Sequence, residues 1–300
     1  MTEQPRSFGP YAALLGVQFF FGSLSVVGKV ALNAVPALSL VGFRVGITAM
    51  ALVIIQTARG RVWLKHRGDY WRLAVLSFFG VALNQTLFIT GLSLTKASNA
   101  SLLAVTIPIF ALTVGAAAGL ERLRLKRALG IAIAAIGVIF LIDPRNASFS
   151  SQTTVGDLLI VLNSLSFGIY VATSKVIVTR NGAFRSMMWV FVFASIVCVP
   201  VGAYSLSTID VGSVTSGIWL LILYIALGAT ASPYLLNAWA ITRVNPSTVA
   251  VFVYLQPLIG FLLAVAFLGE RVDFTFVIAT ALIFAGVFLV TRKFVPAPEI

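Results

Sequence analysis

Runs of about 20 apolar residues recur along the 300-residue chain, bounded by charge, Pro or Gly, and each is long enough to cross roughly 30 Å of hydrocarbon. They fall near residues 11–32, 38–58, 72–94, 97–119, 126–142, 156–178, 186–206, 216–240, 246–268 and 274–291. The pattern predicts an all-α membrane protein with ten transmembrane helices. The first run continues to about Leu32 with no small-residue cleavage signal, so it reads as a span and not as a removed signal peptide.

The second half of the chain repeats the first at an almost constant offset. Pro108 falls on Pro257 and Glu121-Arg122 on Glu270-Arg271, each 149 residues apart, and the same offset places Gly137-Val138 on Gly286-Val287. Phe21-Gly22 and Lys29 fall on Phe167-Gly168 and Lys175 at an offset of 146, a loop absorbing the difference. An odd number of spans per unit forces the second unit to enter the membrane from the opposite side, so the reading is two inverted five-helix repeats. The expected division is a cytoplasmic tail at 1–10, a first repeat at 11–142, an external linker at 143–155, a second repeat at 156–291 and a cytoplasmic tail at 292–300. Two such halves can open a site between them first to one side and then to the other, which is alternating access.

Composition agrees with a lipid-solvated chain: 59% of residues are hydrophobic and 10% charged, and the mean hydropathy is +1.02. The formal charge of +12 raises nucleic acid as a partner, but the basic residues sit in short gaps between spans and form no stripe, which argues against it. With the N-terminus inside, 16 of the 21 Lys and Arg residues lie on the cytoplasmic side. Lys29, Arg44, Lys96, Arg145 and Arg271 are left outside or in the outer part of a span. Both termini are therefore expected in the cytoplasm. Cys198 is alone, so no disulfide forms within the chain, and His66 reads as a solvated loop residue between Lys65 and Arg67.

The aromatic-Gly pair and later Lys of the first span, Arg44 early in the second, the mid-span prolines and the Leu-Gly-Glu-Arg run at Leu268 to Arg271 together resemble the drug/metabolite transporter superfamily, EamA branch. Gly119-Leu120-Glu121-Arg122 is a permuted form of the same run. The resemblance extends from about Tyr11 to Arg292, and it departs at Phe21, where Trp is usual, and at Gln256, where Glu is common. It implies a transporter of amino acids, other metabolites, nucleotide sugars or drugs, in a bacterial cell membrane. It also implies a central cavity built from helices 1, 3, 4, 6, 8 and 9, with helices 5 and 10 as scaffold at the edge.

No span carries Asp or Glu in its middle, which argues against a carboxylate proton relay, a metal site or a membrane enzyme with paired acids. No catalytic residue, metal or cofactor is expected. The substrate-binding candidates are the polar and aromatic residues at mid-span: Asn84, Gln85, Asn163, Ser166, Tyr170, Tyr234, Asn237, Trp239, Tyr254 and Gln256. Each must be satisfied by another helix, by water or by substrate. Pro108 and Pro257 free the carbonyls of Ala104 and Val253 and are candidate hinges. Lys29 and Arg44 read as snorkelling to the outer interface, with carboxylate binding as the alternative. Gly130, Ala134 and Gly137, with Ala281, Ala285 and Gly286, read as small residues for close helix packing. The expected function is movement of a small neutral or zwitterionic metabolite, foremost amino-acid export, by a facilitator acting as a monomer or weak homodimer in the lipid bilayer. Drug or lipid efflux and a non-transporting membrane scaffold are the alternatives.

Overall fold

The computed structural model describes residues 8–95, 99–100, 103–122, 124–142, 153–259 and 274–291. The helices are α1 (Gly9–Leu32), α2 (Ala37–Ala58), α3 (Gly68–Leu94), α4 (Thr106–Ala117), α5 (Leu125–Ile142), α6 (Thr154–Asn181), α7 (Ala183–Leu206), α8 (Ser216–Ile241), α9 (Pro246–Ile259) and α10 (Phe274–Thr291). There is no strand among the described residues. Six helices, α1, α2, α3, α6, α7 and α8, are long and apolar enough to cross a membrane. Part of the windows that include α4 and α9 lies outside the described residues, as do Lys96, Arg145, the Leu268 to Arg271 run, residues 143–152 of the linker, residues 1–7 of the first tail and the whole second tail.

α3 and α6 extend past their apolar windows into polar residues. The first turn of α3 takes in Asp69 and the last turn of α6 takes in Arg180 and Asn181, because these polar groups satisfy one another. Gly182 at φ +85° then turns the chain directly from α6 into α7, a left-handed conformation that favours glycine.

The duplication is visible in the backbone. α3 and α8 are each interrupted by a π-turn, Phe78–Ala82 and Leu227–Ala231, whose starts are 149 residues apart like the sequence repeat. Helix continuity also breaks at matching places ahead of the two prolines, at Ala104-Val105 before Pro108 and in a 3₁₀ turn at Phe252–Tyr254 before Pro257. Proline cannot donate to the carbonyl four residues back. The Ala104 carbonyl accepts instead from the Ile107 N–H at 3.0 Å in a tightened turn.

Equivalent helices of the two repeats run antiparallel. Gly130 opposes Gly286 and Gly137 opposes Ala279 where α5 crosses α10, and Gly42 opposes Gly202 while Gly46 opposes Val199 where α2 crosses α7. A Cβ on Gly42 would stand 2.9 Å from the Gly202 Cα, so only glycine permits that approach. The repeats are therefore inverted. On α10 the phase differs from expectation: Ala281 and Ala285 are exposed, and Ala279, Ile283 and Gly286 meet α5. Helices also exchange between repeats, α3 packing along α6 and α8 along α1.

Candidate functional site

A partly open cavity with about 80 Å³ of space for water-sized molecules lies where the repeats meet. At mid-depth Phe21 and Phe167, which are repeat equivalents, stand edge to face at 6.5 Å, and Phe21 meets Tyr234 the same way at 6.0 Å. Above them the wall is made by Arg44, Asn84, Gln85, Phe88 and Asn163, reaching Ala100 and Ile160 where α3 ends and α6 begins. Ala104, Ile107, Val253 and Gln256 line the side formed by the broken stretches of α4 and α9. Five of the ten residues expected to bind substrate thus share one cavity: Asn84, Gln85, Asn163, Tyr234 and Gln256. No Asp or Glu is among the described residues that line it.

Arg44 differs most from its sequence reading. It is buried at 2% exposure and does not snorkel to an interface. The reason lies on α8. The π-turn leaves the Ile225 carbonyl to the Thr230 hydroxyl, which donates to it at 2.7 Å and accepts from Arg44 Nε at 3.0 Å. Nη1 of Arg44 has no hydrogen-bond partner. Gln85 sits beside the Tyr234 hydroxyl, but that hydroxyl donates to the Gly80 carbonyl at 2.6 Å and neither amide atom of Gln85 is paired.

Other candidates are occupied. Asn84 and Asn163 each donate to the other's backbone carbonyl, at 3.4 and 2.8 Å, which ties α3 to α6. Gln256 donates to Gln18 Oε1 at 2.9 Å. Gln18 is 1% exposed and was missed in the sequence, where its signal was an amide within an aromatic-rich run of α1. The other five expected residues do not line the cavity. Ser166 donates to the Phe79 carbonyl at 2.6 Å, Tyr170 packs over Gly80 with its hydroxyl on Met187 Sδ at 3.4 Å, and Tyr254 donates to the Val105 carbonyl at 3.0 Å. Trp239 lies half-buried under the Arg243 guanidinium, 3.9 Å from the ring centroid. Asn237 is buried with its Oδ1 unpaired.

The end of the bundle opposite the cavity is tied across the repeats. Asp69 accepts from Arg180 at 3.0 Å and Asn181 at 2.8 Å. Glu121 pairs with Arg127 and accepts from the Ser247 hydroxyl at 2.5 Å. At the cavity end, Leu92, Ala100 and Ile160 form a small apolar cluster separate from the main core. The repeated lysines have a matched duty. Lys29 donates to the Thr95 carbonyl at 2.8 Å and Lys175 to the Val244 carbonyl at 2.7 Å, so each serves a carbonyl just beyond the third helix of its repeat.

Comparison with known proteins settles what kind of molecule carries this cavity. The profile of the EamA-like transporter family matches twice, at residues 9–143 and 154–292. The chain belongs to the EamA-like transporter family. Among curated relatives, the uncharacterized transporter YetK of Bacillus subtilis is 24% identical over 292 residues, covering 96% of this chain and 88% of its own. An uncharacterized transporter of Archaeoglobus fulgidus is 27% identical over 235 residues, 76% of this chain and 79% of its own. A solved crystal structure superposes with a TM-score of 0.74 at 20% identity, covering 94% of this chain and 96% of that one, a likeness of fold. This EamA-like protein is an integral membrane transporter, and family and relatives point to transport and not to an enzymatic activity.

Proposed function

We propose that this EamA-like protein moves small neutral or zwitterionic metabolites, foremost amino acids, by alternating access of the central cavity. The observation that carries the reading is the cavity itself: it lies between inverted repeats, mixes aromatic rings with amides and one guanidinium, and is closed at one end by the inter-repeat contacts of Asp69 and Glu121. Phosphate-rich cargo needs several cations in the wall, and Arg44 is the one cation among the described lining residues.

The protein works as a facilitator, exporting from the cytoplasm of a bacterial cell whose inner membrane it spans, with both termini cytoplasmic and Pro108 and Pro257 as hinges. Gln256 supports uncoupled transport, since its amide neither binds nor releases a proton near neutral pH and it is paired with another amide. In this orientation the closed end faces the cytoplasm. The test is counterflow of labelled amino acids in proteoliposomes at equal pH, with and without a protonophore. Counterflow indifferent to the protonophore is expected; concentrative uptake driven by a pH gradient would refute the facilitator mechanism. Cysteine labelling in cells, on a chain with Cys198 replaced, tests the topology: external labelling at Arg61 would invert it.

A further inference from the structure

We infer that Arg44 is the anchor for a carboxylate group of the transported solute, a specificity-determining contact that rests on the reading of the cavity as a transport site. Three features of the geometry bring this about. First, the guanidinium is held in place before any solute arrives. Its Nε–H is taken by Thr230, whose own hydroxyl is locked onto the Ile225 carbonyl by the π-turn of α8. Second, it is left incomplete: Arg44 is 2% exposed, Nη1 is unpaired, and no carboxylate lies among the described residues lining the cavity. A guanidinium keeps its charge and has only donors to offer, so a buried one without a counter-ion is costly until an anion meets it. Third, the surroundings suit one negative charge and no more. The planar fork matches a carboxylate through paired N–H donors, and among the described residues no second cation lines the cavity to share a phosphate or a diphosphate.

The neighbouring groups fit the other half of a zwitterion. Gln85 also lines the cavity with an unpaired amide oxygen, and the rings of Phe21, Phe88 and Phe167 line the same wall, π-systems that attract an ammonium group. A free α-amino acid presents a carboxylate and an ammonium a few ångströms apart. It satisfies the Arg44 charge without carrying net charge of its own into the membrane.

The anchor makes a prediction that needs no variant. Purified wild-type protein is titrated with leucine, phenylalanine and threonine, and with the amide and the decarboxylated amine of each, following thermal unfolding. The free acids should bind about 10- to 100-fold more tightly than their amides or amines, the range expected for one charge-assisted contact. Arg44→Gln should abolish the difference and Arg44→Lys should retain part of it. Equal binding of acid and amide by the wild type overturns the anchor whether or not the variants fold. The same solutes are then followed by counterflow in proteoliposomes. Counterflow of amines or amides that Arg44→Gln leaves unchanged overturns the anchor but leaves the transporter reading standing, whereas absence of counterflow with every solute overturns both.

Discussion

The seam between α3 and α6 and the seam between α8 and α1 are the same contact in the two repeats, yet they are held by different chemistry. α3 and α6 are joined at three levels: Asp157 accepts from Thr95 at 2.5 Å and Asn99 at 3.0 Å at one end, Asn84 and Asn163 exchange hydrogen bonds in the middle, and Asp69 holds Arg180 and Asn181 at the other end. Both carboxylates are buried. Across α1 and α8 the described polar contact is one hydroxyl pair, Ser23 with Tyr224 at 2.9 Å, beside the ring contact of Phe21 with Tyr234. Duplication copies the backbone path, down to the π-turns, but leaves the side chains free to diverge. One seam is pinned by buried carboxylates and amides, and its mate by a hydroxyl pair and a ring contact.

The largest effect is expected at the buried carboxylate. Asp69→Ala removes the carboxylate that Arg180 and Asn181 share and should destabilise the protein by about 2–3 kcal/mol, below the usual cost of breaking a buried pair because Asn181 keeps the Ile177 carbonyl at 3.2 Å and Arg180 is 35% exposed and can turn to water. A melting temperature in detergent equal to wild type would show that the Asp69 contacts add nothing to the seam.

Glycine substitutions compare the seams directly. A Cβ on Gly91 would stand 3.0 Å from the Gly156 carbonyl oxygen and 2.9 Å from Ile160 Cδ1, whereas one on Gly16 meets nothing nearer than Leu236 Cδ1 at 3.5 Å. Gly91→Ala should destabilise by about 1–2 kcal/mol through overpacking. Gly16→Ala should be neutral or stabilise by up to about 1 kcal/mol through helix propensity. Equal melting temperatures for the two would erase the difference between the seams.

Smaller still are the mid-seam hydrogen bonds. Asn163→Ala should cost about 1 kcal/mol, near the middle of the range for polar contacts between membrane helices. Ser23→Ala should fall near or below about 0.5 kcal/mol, since Ser23 also donates to the Phe20 carbonyl of its own helix and Tyr224 is partly exposed. A double-mutant cycle of Ser23→Ala with Tyr224→Phe reads the coupling, and a value matching that of Asn163 would contradict the ranking.

The candidate site was half legible for reasons these residues make plain. Asn84, Gln85, Asn163, Tyr234 and Gln256 stood out because an amide or phenol in an apolar run demands a partner, and they do line one cavity. Ser166, Tyr170 and Tyr254 carried the same signal and found their partners in backbone carbonyls or a sulfur atom, a distinction invisible until neighbouring helices are in place. Arg44 was misread because its position along α2 is compatible with an interface. Only the docking of α8, with Thr230 turned inward by its π-turn, makes it a cavity residue.

By itself the sequence determined the helical class and the inverted duplication. Lipid offers no partner to a backbone amide, so apolar runs of spanning length become helices wherever they occur, and a repeat of Pro, Gly and Glu at one offset survives as a covalent record. The tertiary structure decided which helix face meets which: Ala281 and Ala285 outward and Ile283 inward, Asp69 onto Asn181, Lys29 onto the Thr95 carbonyl, Arg44 into the cavity. Among helices apolar on nearly every side, hydrophobicity does not select a face, and the choice falls to close approach at glycine and to the pairing of a few polar groups that the bilayer cannot solvate.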